Sequence, residues 1–210
     1  MGEVKNRKCT VVSGAPEDNI EYIRQYIDNS FIISADSGFS KLKKLGIEPD
    51  LAVGDFDSSK VPDFEGELIV LPTHKDDTDT LFALKQAMKR GYKDITVVGG
   101  IGNRFDHSFS NVVNIDYCKR HGADCKIVTP NSEIFIAYDT VRIPKGKYDY
   151  FSLFAFGGEC KGLTIEGAEY PLVNYDLECG TSMCQSNRVK DEYCTLSFKS
   201  GKLLVVLSND

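Results

Sequence analysis

Three aspartates, Asp36, Asp55 and Asp57, stand just after short apolar runs of the chain. A fourth, Asp79, ends the segment 75–79, which follows another such run and opens a helical pattern. Asp55 and Asp57 are two residues apart, and Gly54 directly precedes them. This spacing allows both carboxylates to reach one cation. Three or four carboxylates that converge on one edge of a sheet repel each other unless a cation holds them. Oxygen ligands without a nearby cysteine or paired histidine favour Mg²⁺. The spacing therefore predicts a magnesium site.

Each acidic segment also has a purely structural interpretation. Asp77, Thr78 and Asp79 can cap a helix and complement its dipole, and the segment 54–58 can form an Asx turn. These interpretations explain each segment separately, but they give no common reason for three acidic turns at one sheet edge. Taken together, the segments favour metal binding.

A glycine-rich segment, Gly99 to His107, follows another apolar run and opens a helical pattern. Glycines allow backbone N–H groups to approach a polyphosphate, and Arg104 supplies a forked donor for phosphate oxygens. The segment is neither a Walker loop nor a dinucleotide fingerprint. Two alternatives remain open here, since Asp106 can cap the helix and His107 can be a structural histidine.

The elements that must position these residues alternate between strand and helix up to residue 128. Apolar runs rich in Val and Ile predict buried strands of a parallel sheet. Helices are predicted over 18–29, 38–45, 78–89 and 105–120. The last helix places four apolar side chains on one face: Phe109, Val112, Val113 and Tyr117. This alternation predicts a doubly wound, mostly parallel α/β sheet, with ligands at the carboxyl ends of its strands.

The pattern changes at Pro130-Asn131, because no helical period follows. Short apolar runs separated by Gly, Pro, Asn and Asp predict antiparallel strands joined by turns. The runs are 134–138, 150–156, 163–165, 194–198 and 203–207. We therefore expect an α/β domain over residues 1–128 and a smaller antiparallel β-sandwich over 129–210.

Composition limits the partners and the compartment. Asp and Glu exceed Lys and Arg by 31 to 25 in the 210 residues, so no broad cationic surface is expected and nucleic acid is excluded as a partner. The seven cysteines contain no C-x-x-C pair, which fits a reducing compartment. No stretch approaches the ~20 apolar residues needed to cross a bilayer. We expect a cytoplasmic protein without a membrane partner.

Five ordered motifs resemble those of the thiamine pyrophosphokinase family. They are Ala-Asp-x-Gly at 35–38, Leu-Gly-Ile-x-Pro-Asp at 45–50, Gly-Asp-Phe-Asp-Ser at 54–58, Lys-Asp-x-Thr-Asp at 75–79 and Gly-x-x-Gly-x-Arg-x-Asp-His at 99–107. Asn111 follows the fifth motif, and the similarity continues through 167–172 to Ser186-Asn187, so it covers most of the chain.

The resemblance implies an ATP:thiamine diphosphotransferase that acts as a homodimer. It implies that ATP and Mg²⁺ bind the α/β domain, and that thiamine lies in a cleft near the dimer interface to which the β domain contributes. The implied metal ligands are Asp55, Asp57 and Asp79, with Asp36 beside them. The implied nucleotide side comprises Lys75, Thr78, Gly100, Gly102, Arg104, Asp106 and His107. Asp36, Arg104 and Asp106 join the three metal ligands as catalytic residues.

The thiamine side is implied to contain Ser186 and Asn187. Because the chain has no tryptophan, an aromatic ring that stacks on thiamine must come from Tyr or Phe. Tyr170 is our candidate, although a tyrosine in a β-sandwich also fits a core or interface position.

Two other functions use some of the same residues. A magnesium-dependent phosphohydrolase acting on a nucleotide or a phosphate ester would use the same aspartates with water as the nucleophile. A non-catalytic nucleotide-binding regulator would keep Arg104 and the glycines but would not need the acidic cluster. The presence of that cluster disfavours the regulator.

Overall fold

The computed structural model describes residues 8–56, 64–74 and 76–210. The chain divides into two compact units, residues 1–130 and 131–210. None of the helices in these described ranges is long and apolar enough to span a membrane.

The first unit alternates strands with helices. Its strands are β1 (Lys8–Val12), β2 (Ser30–Ala35), β3 (Leu51–Gly54), β4 (Glu67–Val70), β5 (Asp94–Val98) and β6 (Asp124–Val128). Its helices are a 3-10 helix (Glu21–Tyr26), α1 (Gly38–Lys44), α2 (Asp79–Lys89) and α3 (Phe105–Arg120). The strands pair in parallel in the order β4-β3-β2-β1-β5-β6. This arrangement confirms the predicted doubly wound α/β fold.

The strand order reverses between β1 and β5, which are neighbours in the sheet. In open α/β sheets, the crevice at such a reversal is where ligands bind. Here the crevice is flanked by the loop after β1, at residues 13–18, and the loop after β5, at residues 99–104. On one face of the sheet, the 3-10 helix and α1 form an apolar core with Val12, Val98 and Val128.

The helix predicted over 18–29 is shorter and tighter in the structure, where only the 3-10 helix Glu21–Tyr26 is present in that segment. Its first residue follows Ile20, which provides no side-chain cap. Asn29 adopts a φ of +56°, a left-handed conformation that ends the helical path just before β2.

The predicted apolar face of α3 is wrong. Phe109 and Val113 are exposed. The buried residues include four with polar or charged side chains: Ser108, Asn111, Asn114 and Asp116. A 3.6-residue period of apolar residues predicts an apolar buried face, whereas the buried face of this helix is mostly polar. Two of these polar side chains bind the glycine-rich loop, as described below.

The second unit is an antiparallel β-sandwich. Its strands are β7 (Ser132–Ala137), β8 (Val141–Pro144), β9 (Tyr150–Ala155), β10 (Cys160–Glu166), β11 (Leu172–Leu177), β12 (Tyr193–Ser197) and β13 (Leu203–Ser208). One sheet contains β7-β13-β9 and the other contains β11-β10-β12-β8. Side chains from both sheets, among them Phe151, Leu153, Leu163 and Leu196, form one buried core.

Five of the strands in this unit match the predicted runs, but β8 and β11 were not predicted. β8 has four residues and ends at Pro144, a residue that weakens a strand pattern. β11 lies at the edge of its sheet and is mostly exposed, so it lacks the apolar run on which the other predictions rested.

Candidate active site

Three carboxylates meet at the carboxyl ends of the parallel strands. Asp36 directly follows β2, Asp55 directly follows β3, and Asp79 is the first residue of α2. One carboxylate oxygen of each lies within 4.8 Å of the others, and all three residues are half-buried. We call these three residues the acidic cluster.

Local backbone geometry brings two of these aspartates together. Asp36 has a φ of +50°, which L-residues rarely adopt, and its N–H donates to the Val53 carbonyl at 2.8 Å. Gly54 allows this close approach, because a Cβ at that position would lie 3.2 Å from the Cα of Asp36. The turn after β2 is thereby fixed against the end of β3.

The donor set of the acidic cluster fits a small hard cation. Mg²⁺ binds oxygen ligands at about 2.1 Å, so one ion joins oxygens up to about 4.2 Å apart, close to the separation in the cluster. Three carboxylates at this separation repel each other when they are all ionised. Asp36 is part of this cluster itself, whereas Asp57, the third predicted ligand, lies outside the described residues.

The acidic cluster borders a cavity of about 370 Å³, which we call the first cavity. It is also lined by both loops of the crevice and by the start of α3. The lining includes five residues of the predicted nucleotide side: Thr78, Gly100, Gly102, Arg104 and His107. Lys75, which was also predicted there, lies outside the described residues.

Thr78 has a structural role as well as a place in the first cavity. It is the N-cap of α2, where its hydroxyl accepts a hydrogen bond from the Leu81 N–H at 3.2 Å. The capping interpretation of this segment therefore holds for Thr78. Asp79 follows the cap and belongs to the acidic cluster, so capping and metal binding are compatible here.

Arg104, which lines the first cavity, forms an ion pair with Asp106. The Arg104 guanidinium donates to Asp106 at 2.6 Å, and their side chains are 71% and 65% exposed. The guanidinium lowers the pKa of the Asp106 carboxyl below its usual range. Asp106 does not cap α3, because the N-cap position is Arg104 and it makes no side-chain cap hydrogen bond. Such an exposed pair is weak, so a phosphate can compete for the guanidinium.

The glycine-rich loop is tied to the buried polar face of α3. The Asn111 amide donates to the Gly100 carbonyl at 2.8 Å, and the Gly102 N–H donates to the Ser108 hydroxyl at 3.0 Å. A Cβ on Gly102 would lie 2.8 Å from the Cβ of Ala15, so the glycine is needed for the two crevice loops to approach each other. The polar face of α3 thus holds this loop in one shape.

A buried network below the crevice was not identified from the sequence. Glu17 forms an ion pair with Lys41 at 3.0 Å, and both side chains are only 10% exposed. Tyr22 donates to the other Glu17 oxygen at 2.7 Å and accepts from the Gly99 N–H at 3.0 Å. Burial lowers the pKa of Lys41 and raises that of Tyr22, with Glu17 opposing the first change and adding to the second. Lys41 stands among surface-type lysines of α1, so the sequence contains no sign of its burial.

The predicted thiamine residues of the second unit have different environments. Ser186 is exposed with a φ of +57°. Asn187 is buried, and its side chain donates to the Tyr170 carbonyl at 2.8 Å and accepts from the Tyr170 N–H at 3.1 Å. The Tyr170 side chain is exposed. Asn187 therefore fixes the backbone that presents Tyr170.

Two family models match the chain. "Thiamin pyrophosphokinase, catalytic domain" matches residues 23–128, which is half of the chain, and "Thiamin pyrophosphokinase, vitamin B1 binding domain" matches residues 139–203. A curated relative, the thiamine pyrophosphokinase of Bacillus subtilis, is 28% identical over 97% of this chain and 100% of its own length. These matches name no phosphohydrolase, so that alternative has no support from them.

Solved structures of similar proteins have the same fold. The thiamine pyrophosphokinase of Bacillus subtilis superposes with a TM-score of 0.89 at 26% identity, over 97% of this chain and 100% of its own. That of Geobacillus thermodenitrificans gives 0.85 at 27% identity, over 97% and 98%. The Candida albicans enzyme, at 17% identity and over 98% and 90%, gives 0.79 and thus shares the fold.

Proposed function

The chain belongs to the thiamin pyrophosphokinase family, and we propose that it transfers the pyrophosphoryl group of ATP to the hydroxyl of thiamine, giving thiamine diphosphate and AMP. The observation that carries this proposal is the acidic cluster of Asp36, Asp55 and Asp79, which shares the first cavity with Arg104 and the glycine-rich loop. Matches to both halves of the family support the same activity.

We propose that the acidic cluster holds Mg²⁺ together with ATP. When bound, the ion supplies charge neutralisation for the phosphate oxygens. Arg104 lies where its guanidinium can leave the exposed Asp106 carboxylate and donate to the same phosphates. The protein then contributes mainly position and charge, as is usual for phosphoryl transfer.

In the proposed reaction one bond to the β-phosphorus of ATP forms and one breaks. The oxygen of the thiamine hydroxyl forms a bond to the β-phosphorus of ATP, and the bond from that phosphorus to the oxygen bridging to the α-phosphorus breaks. AMP leaves with the bonding electron pair. The hydroxyl proton passes to a nearby carboxylate or to solvent. The pyrophosphoryl group remains intact throughout.

We assign thiamine to the second unit, where Ser186 and Tyr170 are exposed. In this assignment Tyr170 stacks on a thiamine ring, Ser186 contacts the substrate, and Asn187 positions Tyr170 through the backbone hydrogen bonds described above. We also propose a homodimer and a cytoplasmic location, and the net charge of −6 argues against a nucleic-acid partner.

The test is product analysis of the purified protein incubated with ATP, Mg²⁺ and thiamine. We expect AMP and thiamine diphosphate in equal amounts, with no product when the metal is chelated. Release of inorganic phosphate or pyrophosphate without a thiamine product would instead favour the phosphohydrolase.

A further inference from the structure

The buried network of Glu17, Tyr22 and Lys41 is separate from the lining of the first cavity. Among the described residues, that lining includes none of these three. Glu17 and Lys41 instead line a second cavity, of about 400 Å³, which shares part of its wall with the first. An effect of the network on the proposed reaction therefore has to pass through residues that do line the first cavity.

The network contacts the glycine-rich loop at Gly99, the residue directly after β5. The Gly99 N–H donates to the Tyr22 hydroxyl at 3.0 Å, and the Gly99 carbonyl accepts from the Ala15 N–H at 3.0 Å. Gly99 has a φ of +64°, and a Cβ at this position would overlap the Nζ of Lys41. The turn that begins the loop is therefore held at both polar groups of Gly99 and is packed against the network.

Glu17 sets the direction of the Tyr22 hydroxyl proton. A tyrosine hydroxyl has one proton to donate and lone pairs that accept, whereas a carboxylate only accepts. At 2.7 Å the Glu17 carboxylate takes the Tyr22 proton, which leaves a lone pair for the Gly99 N–H. The Val128 carbonyl, at 3.5 Å, is too distant from the hydroxyl to compete. The Lys41 ammonium holds the other Glu17 oxygen at 3.0 Å, so the carboxylate is fixed at both oxygens.

Stability of the fold is a weak explanation for the buried Glu17–Lys41 pair. Two charges taken out of water lose hydration, and their mutual attraction often fails to recover that loss. Desolvation lowers the pKa of the Lys41 ammonium even with Glu17 beside it, which is the sign of this cost. Orientation of the Tyr22 hydroxyl gives the pair a role that does not depend on net stabilisation.

The loop that begins at Gly99 contains the groups that we assign to phosphate binding. Gly100, Gly102 and Arg104 all belong to this loop and line the first cavity. Group transfer depends on exact placement, and a displacement of about 1 Å can slow it by about 100-fold. A change in the turn at Gly99 should therefore alter the rate of the proposed reaction.

We propose that Tyr22 is a positioning residue for the transfer reaction: its hydroxyl, oriented by the Glu17–Lys41 pair, fixes the turn at Gly99 and so places Arg104 in the first cavity. The inference rests on the proposed function and deepens it, because it gives a role in the reaction to residues that do not line the first cavity. Tyr22 acts through Gly99 and is not itself a catalytic residue.

The test is Tyr22→Phe, which removes the hydroxyl and keeps the ring. Amide hydrogen exchange at Gly99, followed by NMR, should become about tenfold faster or more, because the N–H loses its partner. At saturating ATP and Mg²⁺, kcat for thiamine diphosphate should fall about tenfold or more. The KM for thiamine should stay unchanged, because thiamine is assigned to the second unit. Rates are measured well below the thermal midpoint of the variant, so that a loss of stability alone does not lower kcat.

Tyr148→Phe is the matched control. The Tyr148 hydroxyl also donates to a glutamate, Glu133, at 3.4 Å, but in the second unit. Its removal should leave both Gly99 exchange and kcat unchanged.

Glu17→Gln is a second, milder variant. The Gln carbonyl can still accept from Tyr22, but the amide group can also donate, so the direction of the hydroxyl proton is no longer fixed. Gly99 exchange and kcat should change in the same directions as in Tyr22→Phe, by smaller factors. Added to Tyr22→Phe, the Glu17→Gln change should lower kcat little further, because Glu17 acts through the Tyr22 hydroxyl.

Three results would overturn the inference. The first is unchanged Gly99 exchange in the Tyr22→Phe variant, and the second is faster exchange with an unchanged kcat. The third is a double variant whose loss of kcat is the product of the two single losses. The exchange measurement is independent of turnover. If the unmodified protein forms no thiamine diphosphate, the proposed function is contradicted, and faster exchange in the variant still supports the positioning of the loop by Tyr22.

Discussion

Among single residues, Asp36 gives the clearest evidence that the acidic cluster is a binding site. A non-glycine residue with a φ of +50° has a conformational cost, and here the unusual backbone brings a carboxylate within 4.8 Å of two others. The unbound protein therefore has both a strained residue and crowded negative charge. A cation that binds the three oxygens relieves the repulsion between them.

The first prediction concerns replacing Asp36, Asp55 or Asp79 singly by Asn. Each change should reduce turnover by about 100-fold or more, the scale of losing several kcal/mol of charge stabilisation, and should raise the Mg²⁺ concentration needed for half-maximal rate. Without Mg²⁺, the thermal midpoint should stay the same or rise, because like charges are removed. Asp28→Asn, at an exposed position outside the acidic cluster, is the control. Near-normal rates at limiting Mg²⁺ in all three variants would remove the metal assignment.

A second prediction separates Ser186 from Asn187. Asn187→Ala removes both hydrogen bonds to the Tyr170 backbone and should lower the free energy of unfolding by about 1–3 kcal/mol. Ser186→Ala, at an exposed position, should change it by less than about 0.5 kcal/mol. Urea denaturation measures these values.

Both changes should also raise the KM for thiamine, while binding of a non-hydrolysable ATP analogue should stay nearly unchanged. Loss of ATP-analogue binding alone would reverse the assignment of the two substrates to the two units.

Among the secondary-structure elements, α3 shows what the sequence could predict and what it could not. Its bounds, Phe105–Arg120, follow from the glycine-rich turn before it and the glycine after it. Which face of α3 is buried could not be predicted in this way. Ser108 and Asn111 are buried because they form hydrogen bonds with the glycine-rich loop. Local periodicity reports hydrophobicity, whereas two polar side chains of this face are held inward by hydrogen bonds to the loop just before the helix.

The acidic cluster could be predicted from the sequence, whereas the buried network of Glu17, Tyr22 and Lys41 could not. Asp36 and Asp55 directly follow apolar runs, and Asp79 opens the helix after a third run, so their convergence could be predicted from the rule that parallel strands end at one edge. Glu17, Tyr22 and Lys41 come from a loop and two helical segments whose contacts depend on tertiary packing. No spacing in the sequence reports such contacts.

The third prediction concerns the junction of α1 with β1. A Cβ on Gly38 would overlap the carbonyl oxygen of Val12. Gly38→Ala should therefore reduce the free energy of unfolding by about 1–3 kcal/mol, as overpacking does. It should also weaken ATP use, because α1 begins two residues after Asp36 and a displaced α1 shifts this member of the acidic cluster.

Gly46→Ala is the comparison for this change. Gly46 has a φ of +68° with open space around it, so only a backbone cost of about 1 kcal/mol is expected, with ATP use unchanged. Chemical denaturation and ATP titration of the two variants provide the measurements. Equal effects on both properties would show that the close packing at Gly38 is unimportant.

On the scale of the whole molecule, both units expose apolar side chains. Phe105, Phe109 and Val113 lie along α3, and Val173 on the edge strand β11 is 83% exposed. Exposed apolar surface and an open sheet edge favour association. The fourth prediction is a homodimer, so the protein should sediment at about twice 23.3 kDa. A fully active monomer at assay concentration would contradict it.

The central claim is the transfer of an intact pyrophosphoryl group to thiamine. The most direct measurement follows ATP labelled with ³²P at the β-phosphate, incubated with the protein, Mg²⁺ and thiamine. The β label should appear in thiamine diphosphate, while a label at the α-phosphate should remain in AMP. Retention of the β label in ADP, or its release as free phosphate or pyrophosphate, would contradict the account.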